Sequence, residues 1–461
     1  MISMTEPLPS QENRHVFLLS LGCAKNLVDS ECMSQILRDA GFLMVDEPSQ
    51  ADILLVNTCG FIESAKKEAI ESILQLADYK QPAGRARYLI VAGCLSQRYA
   101  KDILSQMPEV NAVLGTADYH QVGEVINQLD RDTAFADEQI LTLPGPGGSL
   151  THLAIPRQPS TPGNYAYIKV AEGCSNNCAY CAIPGIRGPF VSRPFAEIVS
   201  EAARLSAAGY GELILIAQDT TRYGLDLYGR RRLPELLRAL CRIPEVQMVR
   251  ILYVYNDGLT DELIECMASE AKVAHYLDWP IQHAADPILR AMNRRDTQAS
   301  IRATVHKLRQ TIPDLVLRTT VLVGFPGETE ADFAALKDFL TEIRFDRLGC
   351  FVFSAEEGTA AAQMKPKVKR TVAQARMKEI MTLQQGISLQ ANQKRLGQVL
   401  DVTLESVSED GVFYKGRSFA EAPEVDPVIW VAASEADLKL GQTLPVRIVD
   451  AGEYELTGVT L

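Results

Sequence analysis

The sequence predicts an α/β protein with an N-terminal doubly wound parallel sheet, a central partial (βα)6 barrel and a small C-terminal antiparallel β-barrel. Over most of the 461 residues, short apolar runs alternate with amphipathic helical patterns, which is typical of parallel sheets covered on both faces. Near the C-terminus, short apolar runs are separated by turn residues, which indicates antiparallel strands. We expect domains over 1–143, 164–395 and 396–461, with a Pro-, Gly- and Ser-rich linker over 144–163.

The N-terminal domain shows three strand-and-helix pairs. Continuous apolar runs predict strands over 16–21, 53–56 and 89–92. Periodic patterns predict helices over 27–40, 62–76 and 97–107. This alternation predicts parallel strands joined by helical crossovers.

The central domain shows six such units. The predicted strands cover 166–170, 213–217, 249–255, 276–281, 317–323 and 349–354. Among the helices between them, Glu330–Ile343 begins with a capping box formed by Thr329 and Asp332. Six units are fewer than the eight of a closed barrel, so we expect a partial barrel with its site at the carboxyl ends of the strands.

The C-terminal part begins with a polar helical region over about 364–395. Four short strands are predicted after it, over 399–404, 412–416, 428–431 and 443–449. Turn residues separate them, which favours a small antiparallel barrel.

Composition limits the class of protein. Apolar residues make up 47% of the chain and charged residues 23%, as in ordinary globular proteins. The first fifteen residues are polar and lack the apolar segment of a secretion signal, and no apolar run is long enough to span a membrane. We therefore expect a cytoplasmic protein, in which ten cysteines favour metal binding over disulfides. A net charge of −12 opposes strong affinity for nucleic acid.

The most specific motif is Cys174-Ser-Asn-Asn-Cys178-Ala-Tyr-Cys181, here called the barrel trio. It follows the first predicted barrel strand. Three thiolates in this CxxxCxxC spacing can hold three irons of a 4Fe-4S cluster and leave the fourth iron open to a small molecule. A zinc site is the alternative, but zinc usually takes four ligands in two separated pairs.

A second set, the N-terminal trio, consists of Cys23, Cys59 and Cys94. Each residue follows one of the three predicted N-terminal strands. Parallel strands all point the same way, so the three thiols are expected to converge at one rim of the sheet and hold a second 4Fe-4S cluster. The alternative is that they are ordinary small apolar residues, which is how we interpret the other four cysteines.

Five stretches carry a resemblance to a known family: LGCAKNLVDSE, AEGCSNNCAYCAIPGIRG, IAQDTTRYG, TVLVGFPGET and FSAEEGT. Together with both trios, they make the chain resemble the methylthiotransferases of the radical S-adenosylmethionine (SAM) superfamily over nearly its whole length. The resemblance implies a radical-SAM barrel, a TRAM-like tail, two 4Fe-4S clusters and two molecules of SAM per turnover. It also implies a reduced electron donor such as a flavodoxin.

The same resemblance implies the chemistry. The barrel cluster would reduce SAM, and the resulting deoxyadenosyl radical would remove a hydrogen from the substrate. The N-terminal cluster would carry the sulfide that a second SAM methylates and that couples to the substrate. No catalytic residue is expected beyond the six cluster ligands.

Four residues are candidate SAM contacts because of their places in the motif loop and at strand ends: Tyr180, Gln218, Asp219 and Gly324. Three of them have a plain alternative: Tyr180 as a core aromatic, Asp219 as a helix cap and Gly324 as part of a strand-to-helix turn. His283 is expected to be a hydrogen-bonded pocket wall. One departure from the family pattern is Asn256, where the resemblance leads us to expect proline after Tyr255; the departure concerns the loop after the third barrel strand and falls on no expected cluster ligand.

Within the family, the stretches resemble most the branch that modifies the β-carbon of an aspartate in protein twelve of the small ribosomal subunit. The alternative branch modifies isopentenyl-adenosine in tRNA. Residues 401–461 hold twelve Asp and Glu against four Lys and Arg, a charge of −8, which favours a basic protein over RNA. Glu356 and Glu357 also favour a basic protein substrate over RNA. A two-cluster electron carrier is a third interpretation, opposed by the two open irons.

Overall fold

The computed structural model describes residues 14–131, 140–141, 149–162, 164–433 and 438–461. Most of the polar N-terminal segment and part of the predicted linker therefore lie outside the described residues. The described part of the linker contains a 3-10 helix, Thr151–Ala154, whose His152 is fully buried.

A six-stranded sheet forms the N-terminal domain. Its strands are β1 (His15–Ser20), β2 (Leu43–Val45), β3 (Ile53–Thr58), β4 (Tyr88–Gly93), β5 (Ala112–Leu114) and β6 (Ile140–Leu141). They lie in the order β2-β1-β3-β4-β5-β6, and every pairing is parallel. Its helices are α1 (Ala24–Asp39), α2 (Glu63–Ala77), α3 (Cys94–Gln106) and α4 (Val122–Arg131).

This sheet is doubly wound, as predicted. One apolar cluster joins α1 and α4 to one face, and a second joins α2 and α3 to the other. The strands β2, β5 and β6 were not predicted, because two or three apolar residues give no recognisable period.

The central domain contains strands β7 to β14. They are β7 (Tyr165–Lys169), β8 (Ala171–Glu172), β9 (Val191–Ser192), β10 (Glu212–Ile216), β11 (Met248–Ile251), β12 (Val273–Asp278), β13 (Val316–Val323) and β14 (Arg347–Val352). Six of them form an open parallel sheet in the order β14-β13-β12-β11-β10-β7, which confirms the partial barrel. The strand predicted over 249–255 ends at Ile251, because Tyr253 has a left-handed backbone with φ of 61°.

Ten helices belong to this part of the chain. They are α5 (Ile183–Arg187), α6 (Phe195–Ala207), α7 (Leu225–Tyr228), α8 (Leu233–Cys241), α9 (Asp261–Ser269), α10 (Asp286–Ala291), α11 (Gln298–Thr311), α12 (Glu330–Ile343), α13 (Ala360–Gln363) and α14 (Arg370–Gln393). The predicted capping box of α12 is confirmed, since Thr329 and Asp332 each accept a hydrogen bond from the other's backbone N–H. No helix among the described residues is both long and apolar enough to cross a membrane.

The C-terminal domain is a closed barrel of five strands. They are β15 (Val399–Val407), β16 (Tyr414–Arg417), β17 (Ile429–Ala432), β18 (Thr443–Ala451) and β19 (Leu456–Thr460). The prediction of a wholly antiparallel barrel was wrong at one pairing, because β17 and β19 run parallel. An odd number of strands cannot alternate in direction around a closed ring. The prediction missed β19, and so it missed this pairing.

The inner face of the central sheet is covered from both neighbouring domains. Ala24 and Val28 of α1 and Ala420 and Ala422 of the C-terminal domain pack in one apolar cluster with side chains of β7, β10 and β12. Arg417 adds a buried ion pair to Glu212 at 2.8 Å. The start of α1 is therefore held against the central sheet, and this brings the N-terminal trio towards the barrel trio.

Candidate functional site: two cysteine trios

The N-terminal trio lies at one rim of the N-terminal sheet. Cys23, Cys59 and Cys94 follow β1, β3 and β4, which are adjacent strands in the sheet. A Cβ placed on Gly22 would stand 2.8 Å from the Cβ of Cys59, so the first two cysteine loops are in contact. The thiols also act on one another electrostatically, since negative charge on Cys23 and Cys59 raises the pKa of Cys94.

The thiols of this trio have different environments. Burial opposes ionisation of Cys23, but the charges of Lys25 and Arg187 and nearby backbone N–H groups outweigh it and lower the pKa of the thiol. Burial raises the pKa of Cys94 to about 11. Cys23 precedes the first turn of α1, where the helix dipole favours a thiolate.

Lys25 lies in the first turn of α1 and is 5% exposed. Its ammonium stands 3.0 Å from the centre of the Tyr253 ring. Burial lowers the pKa of this ammonium to about 8, while the charge of Cys23 raises it. Lys25 therefore stays mostly protonated at neutral pH.

The barrel trio occupies the loop between β8 and α5. The Cys174 backbone N–H donates to the Gly188 carbonyl at 3.1 Å, and the Cys181 N–H donates to the Cys178 carbonyl at 3.0 Å. These bonds close the loop on itself. Burial, together with charge on the other two cysteines, raises the pKa of Cys181 to about 12. The three thiols thus lie near enough to act on one another electrostatically.

Arg187 connects the two trios. It ends α5, which follows the barrel trio, and its guanidinium donates to the Cys94 thiol at 3.6 Å. The same guanidinium pairs with Asp29 of α1 at 3.1 Å and with Glu172 of β8 at 3.0 Å. The side chain is fully buried. The N-terminal domain and the barrel loop are therefore joined through one charged group.

Asp29 is the centre of this buried network. It also pairs with Lys169 of β7, and its carboxylate bonds His152 at 2.9 Å. Burial would raise the pKa of the Asp29 carboxyl, but Lys169 and Arg187 outweigh burial and hold it well below its usual range. Asp29, His152 and Glu172 lie close enough together to suggest a cation site, but the two basic side chains already provide the cations.

The loop after β11 lies beside the barrel trio. The Tyr255 hydroxyl lies 3.9 Å from the Cys178 sulfur. The guanidinium of Arg294 stacks on the Tyr255 ring at 4.4 Å. Asn256 donates to the Ser300 hydroxyl at 3.3 Å, and its buried side-chain oxygen has no hydrogen-bond partner among the described residues. In the sequence, only its position at the end of a predicted strand indicated that Tyr255 lies near the site. No sequence feature indicated this for Arg294.

The four predicted SAM contacts have different surroundings. Asp219 is buried and accepts hydrogen bonds from Asn176 of the cysteine loop at 2.8 Å and from Thr221 at 2.6 Å. Burial raises the pKa of its carboxyl despite these bonds. Tyr180 and Gln218 are half-buried. Gly324 has φ of 76°, and a Cβ there would collide with Ala373, so packing of α14 also explains the glycine.

Other predicted residues have plain structural roles. His283 is fully buried, and its Nδ1 accepts the Ala285 backbone N–H at 2.9 Å, so its expected hydrogen bonding is present. Glu356 is buried and pairs with Lys66 at 3.0 Å and with Arg98 at 3.3 Å. Glu356 therefore joins the N-terminal domain to the barrel and does not face solvent. The prediction that it contributes to an acidic surface was wrong.

A cleft of 560 Å³ opens beside the barrel trio. Its walls come from α3, from the cysteine loop with Cys178 and Cys181, and from the segment 357–360 at the start of α13. The cleft therefore runs between two domains, where enzymes commonly bind small molecules.

Comparison with protein families divides the chain as the fold does. Residues 15–115 match the uncharacterized protein family UPF0004, residues 168–340 match the radical SAM superfamily, and residues 396–461 match the TRAM domain.

Among solved structures, the fold is similar to the radical S-adenosylmethionine methyltransferase TsrM from Kitasatospora setae. The TM-score is 0.55 at 15% identity, covering 74% of this chain and 75% of that one. This likeness concerns the fold alone.

Two curated relatives match almost end to end. A ribosomal protein uS12 methylthiotransferase RimO of Desulforamulus reducens is 48% identical over 96% of this chain and 98% of its own. The protein of that name from Lachnoclostridium phytofermentans is 46% identical over 96% of this chain and 99% of its own. With both cysteine trios in place, the chain belongs to the RimO family of ribosomal protein uS12 methylthiotransferases.

Proposed function

We propose that this protein is a radical SAM methylthiotransferase that adds a methylthio group to the β-carbon of an aspartate in ribosomal protein uS12. The observation that carries the proposal is the presence of two separate cysteine trios in one chain that matches the uS12 enzymes over its full length. An electron carrier or a tRNA enzyme has no comparable support.

The residues present fit two 4Fe-4S clusters. All six cysteines are free thiols, and within each trio they act on one another electrostatically. Each trio supplies three sulfurs, which leaves one iron of a cubane without a cysteine ligand. Cys23, Cys59 and Cys94 would hold one cluster, and Cys174, Cys178 and Cys181 the other. When bound, the clusters and SAM supply the electron, the sulfur, the methyl group and the radical chemistry.

The chain's own residues then position and enclose the reaction. Arg187, paired with Asp29 and Glu172, fixes the N-terminal trio relative to the barrel loop. The hydrogen bond from Asn176 to Asp219 holds the cysteine loop against the end of β10. Packing of α1 on the inner face of the central sheet excludes water from between the domains.

The acidic C-terminal domain would attract a basic protein substrate. Its described and exposed acids are Asp401, Glu409, Asp410, Glu424, Asp450, Glu453 and Glu455. Such a surface repels RNA phosphates and favours the basic polypeptides of the ribosome. We further propose that the protein acts in the cytoplasm with a reduced donor such as a flavodoxin.

Mass spectrometry of uS12 tests the proposal. The reconstituted protein, given SAM, a reductant and uS12, is expected to add a methylthio group to one aspartate and to release 5′-deoxyadenosine. Replacing Cys174 by alanine should abolish both products. Modification of tRNA in place of uS12 would contradict the proposal, and so would transfer without SAM consumption.

A further inference from the structure

Arg187 donates a hydrogen bond to an expected cluster ligand of the other domain. Its guanidinium donates to the Cys94 sulfur at 3.6 Å, although Arg187 ends α5 and Cys94 begins α3. Both residues are buried, with exposed fractions of 1% and 4%. A buried hydrogen bond is not screened by water, and it becomes stronger when a thiol is replaced by a thiolate that ligates iron. A cluster on the N-terminal trio therefore strengthens this contact.

Two carboxylates outside the trio hold the guanidinium in place. Asp29 of α1 accepts a hydrogen bond from it at 3.1 Å, and Glu172 of β8 accepts one at 3.0 Å. Lys169 pairs with the same two carboxylates, so the two cations and the two anions of this network balance. The position of Arg187 therefore does not depend on a charge at Cys94, and the sulfur receives mainly a directed N–H bond.

The two trios differ in this respect. Across the described residues, no arginine or lysine side chain donates a hydrogen bond to a sulfur of the barrel trio, where the polar contact is the Tyr255 hydroxyl at 3.9 Å from Cys178. Hydrogen bonds to the sulfurs are among the features that set the reduction potential of an iron–sulfur cluster. A donor stabilises the more negative, reduced state and so raises the potential. Arg187 therefore acts on the N-terminal trio alone.

We propose that Arg187 raises the reduction potential of the 4Fe-4S cluster on the N-terminal trio, so that this cluster accepts the electron released in methylthio transfer; this rests on the proposed function. The substrate carbon radical brings one electron to the new C–S bond, and a methanethiolate brings a pair. The bond holds two electrons, so one electron is left as the sulfur leaves the iron, and the cluster is reduced by it. Arg187 is thus a positioning residue that acts through Cys94.

Isotope labelling tests the contact without altering Arg187. Arginine labelled with nitrogen-15 is incorporated into the full-length protein with alanines in place of the barrel trio, so that only the N-terminal cluster is reconstituted and reduced. Pulsed electron paramagnetic resonance should then detect a nitrogen-15 nucleus coupled to the cluster. Arg187→Lys should remove the coupling, and Arg250→Lys, at a buried arginine paired with Glu212, should keep it. Absence of the coupling while Arg187 is present would overturn the proposal.

A redox titration of the same proteins measures the effect on the potential. Arg187→Lys keeps a cation for Asp29 and Glu172 but replaces the forked guanidinium by a single ammonium, so the bond to Cys94 should be lost. The equilibrium constant for reduction of the cluster should fall about tenfold, which is ~59 mV for one electron. Arg250→Lys should leave it unchanged.

Iron content separates this role from a structural one. Arg187→Lys should keep the iron of the N-terminal trio, and loss of that iron would show that Arg187 only holds the ligand in place. That result, or an unchanged potential in the iron-loaded variant, would overturn the assignment. If the wild-type holoenzyme fails to modify uS12, the proposed function fails. If it modifies uS12 and Arg187→Lys has the wild-type potential, only the Arg187 assignment fails.

Discussion

At the residue scale, the buried charge network decides how the two trios are placed. Arg187, Lys169, Asp29 and Glu172 lie together with almost no exposure. A buried charge is tolerated when it is paired, and removing one partner leaves the others uncompensated. This network therefore makes the distance between the domains sensitive to single substitutions.

Replacing Arg187 by methionine is expected to destabilise the protein by about 3–5 kcal/mol, because Asp29 and Glu172 lose a buried partner. Urea unfolding of the cluster-free protein measures this change. The matched control is Arg302→Met, which breaks a solvent-exposed pair with Glu342 and should cost less than about 1 kcal/mol. Equal costs for the two variants would show that Arg187 has no special structural role.

Asp29 gives the folded protein a sensitivity to acid. Burial opposes ionisation of its carboxyl, but Lys169 and Arg187 outweigh burial and lower the pKa in the folded state. Its stabilising effect is therefore present above the carboxyl's ordinary pKa of 3.8 and is lost as the pH falls further. The free energy of unfolding should therefore drop between about pH 5 and pH 3, and Asp29→Asn should flatten this part of the curve. Asp39→Asn, at an exposed site on the same helix, should leave the slope unchanged.

At the scale of elements, tight turns at glycine residues position the cysteines. Gly93 has φ of 102° directly before Cys94, and Gly173 has φ of 71° directly before Cys174. A Cβ at Gly93 would overlap Asn57 and Thr58, and a Cβ at Gly173 would overlap the backbone of Gly188 and Pro189. Each glycine lets one strand end approach its neighbour closely enough to position a thiol.

Gly93→Ala and Gly173→Ala should each remove the iron of one trio only. In a background where the barrel trio is replaced by alanines, Gly93→Ala should lose most of the remaining iron. In a background without the N-terminal trio, Gly173→Ala should do the same. Iron analysis of the reconstituted proteins measures both losses. The controls are Gly123→Ala and Gly185→Ala, where an added Cβ meets nothing within 4 Å; iron loss in the controls would contradict this reasoning.

At the scale of the whole molecule, charge is distributed unevenly between surface and interfaces. Glu356, Glu212 and Glu421 are buried in ion pairs between domains, whereas the exposed acids of the C-terminal barrel face solvent. Only the exposed acids can attract a basic substrate over a distance.

Binding of uS12 should therefore weaken as salt rises, and the exposed acids should carry this dependence. Replacing Glu409, Asp410, Asp450 and Glu453 by lysine should lower affinity at low salt and flatten the salt dependence, measured by titration with uS12. A variant with Glu245 and Glu265 of the central domain replaced by lysine keeps the acids of the C-terminal barrel. It should retain most of the salt dependence of uS12 binding. A salt dependence unchanged in the first variant would rule out this role for the C-terminal barrel.

The sequence alone determined the three-part α/β architecture, and it singled out all six cysteines of the two trios. Both are local properties: apolar periodicity reports which face of an element is buried, and a thiol after a parallel strand lies at the rim where the strands end. Interactions between distant residues needed the tertiary structure. Arg187 beside Cys94 and Tyr255 beside Cys178 are contacts between segments far apart in the chain. No spacing in the sequence encodes such contacts, because they form only when the elements that carry the two residues have been packed together.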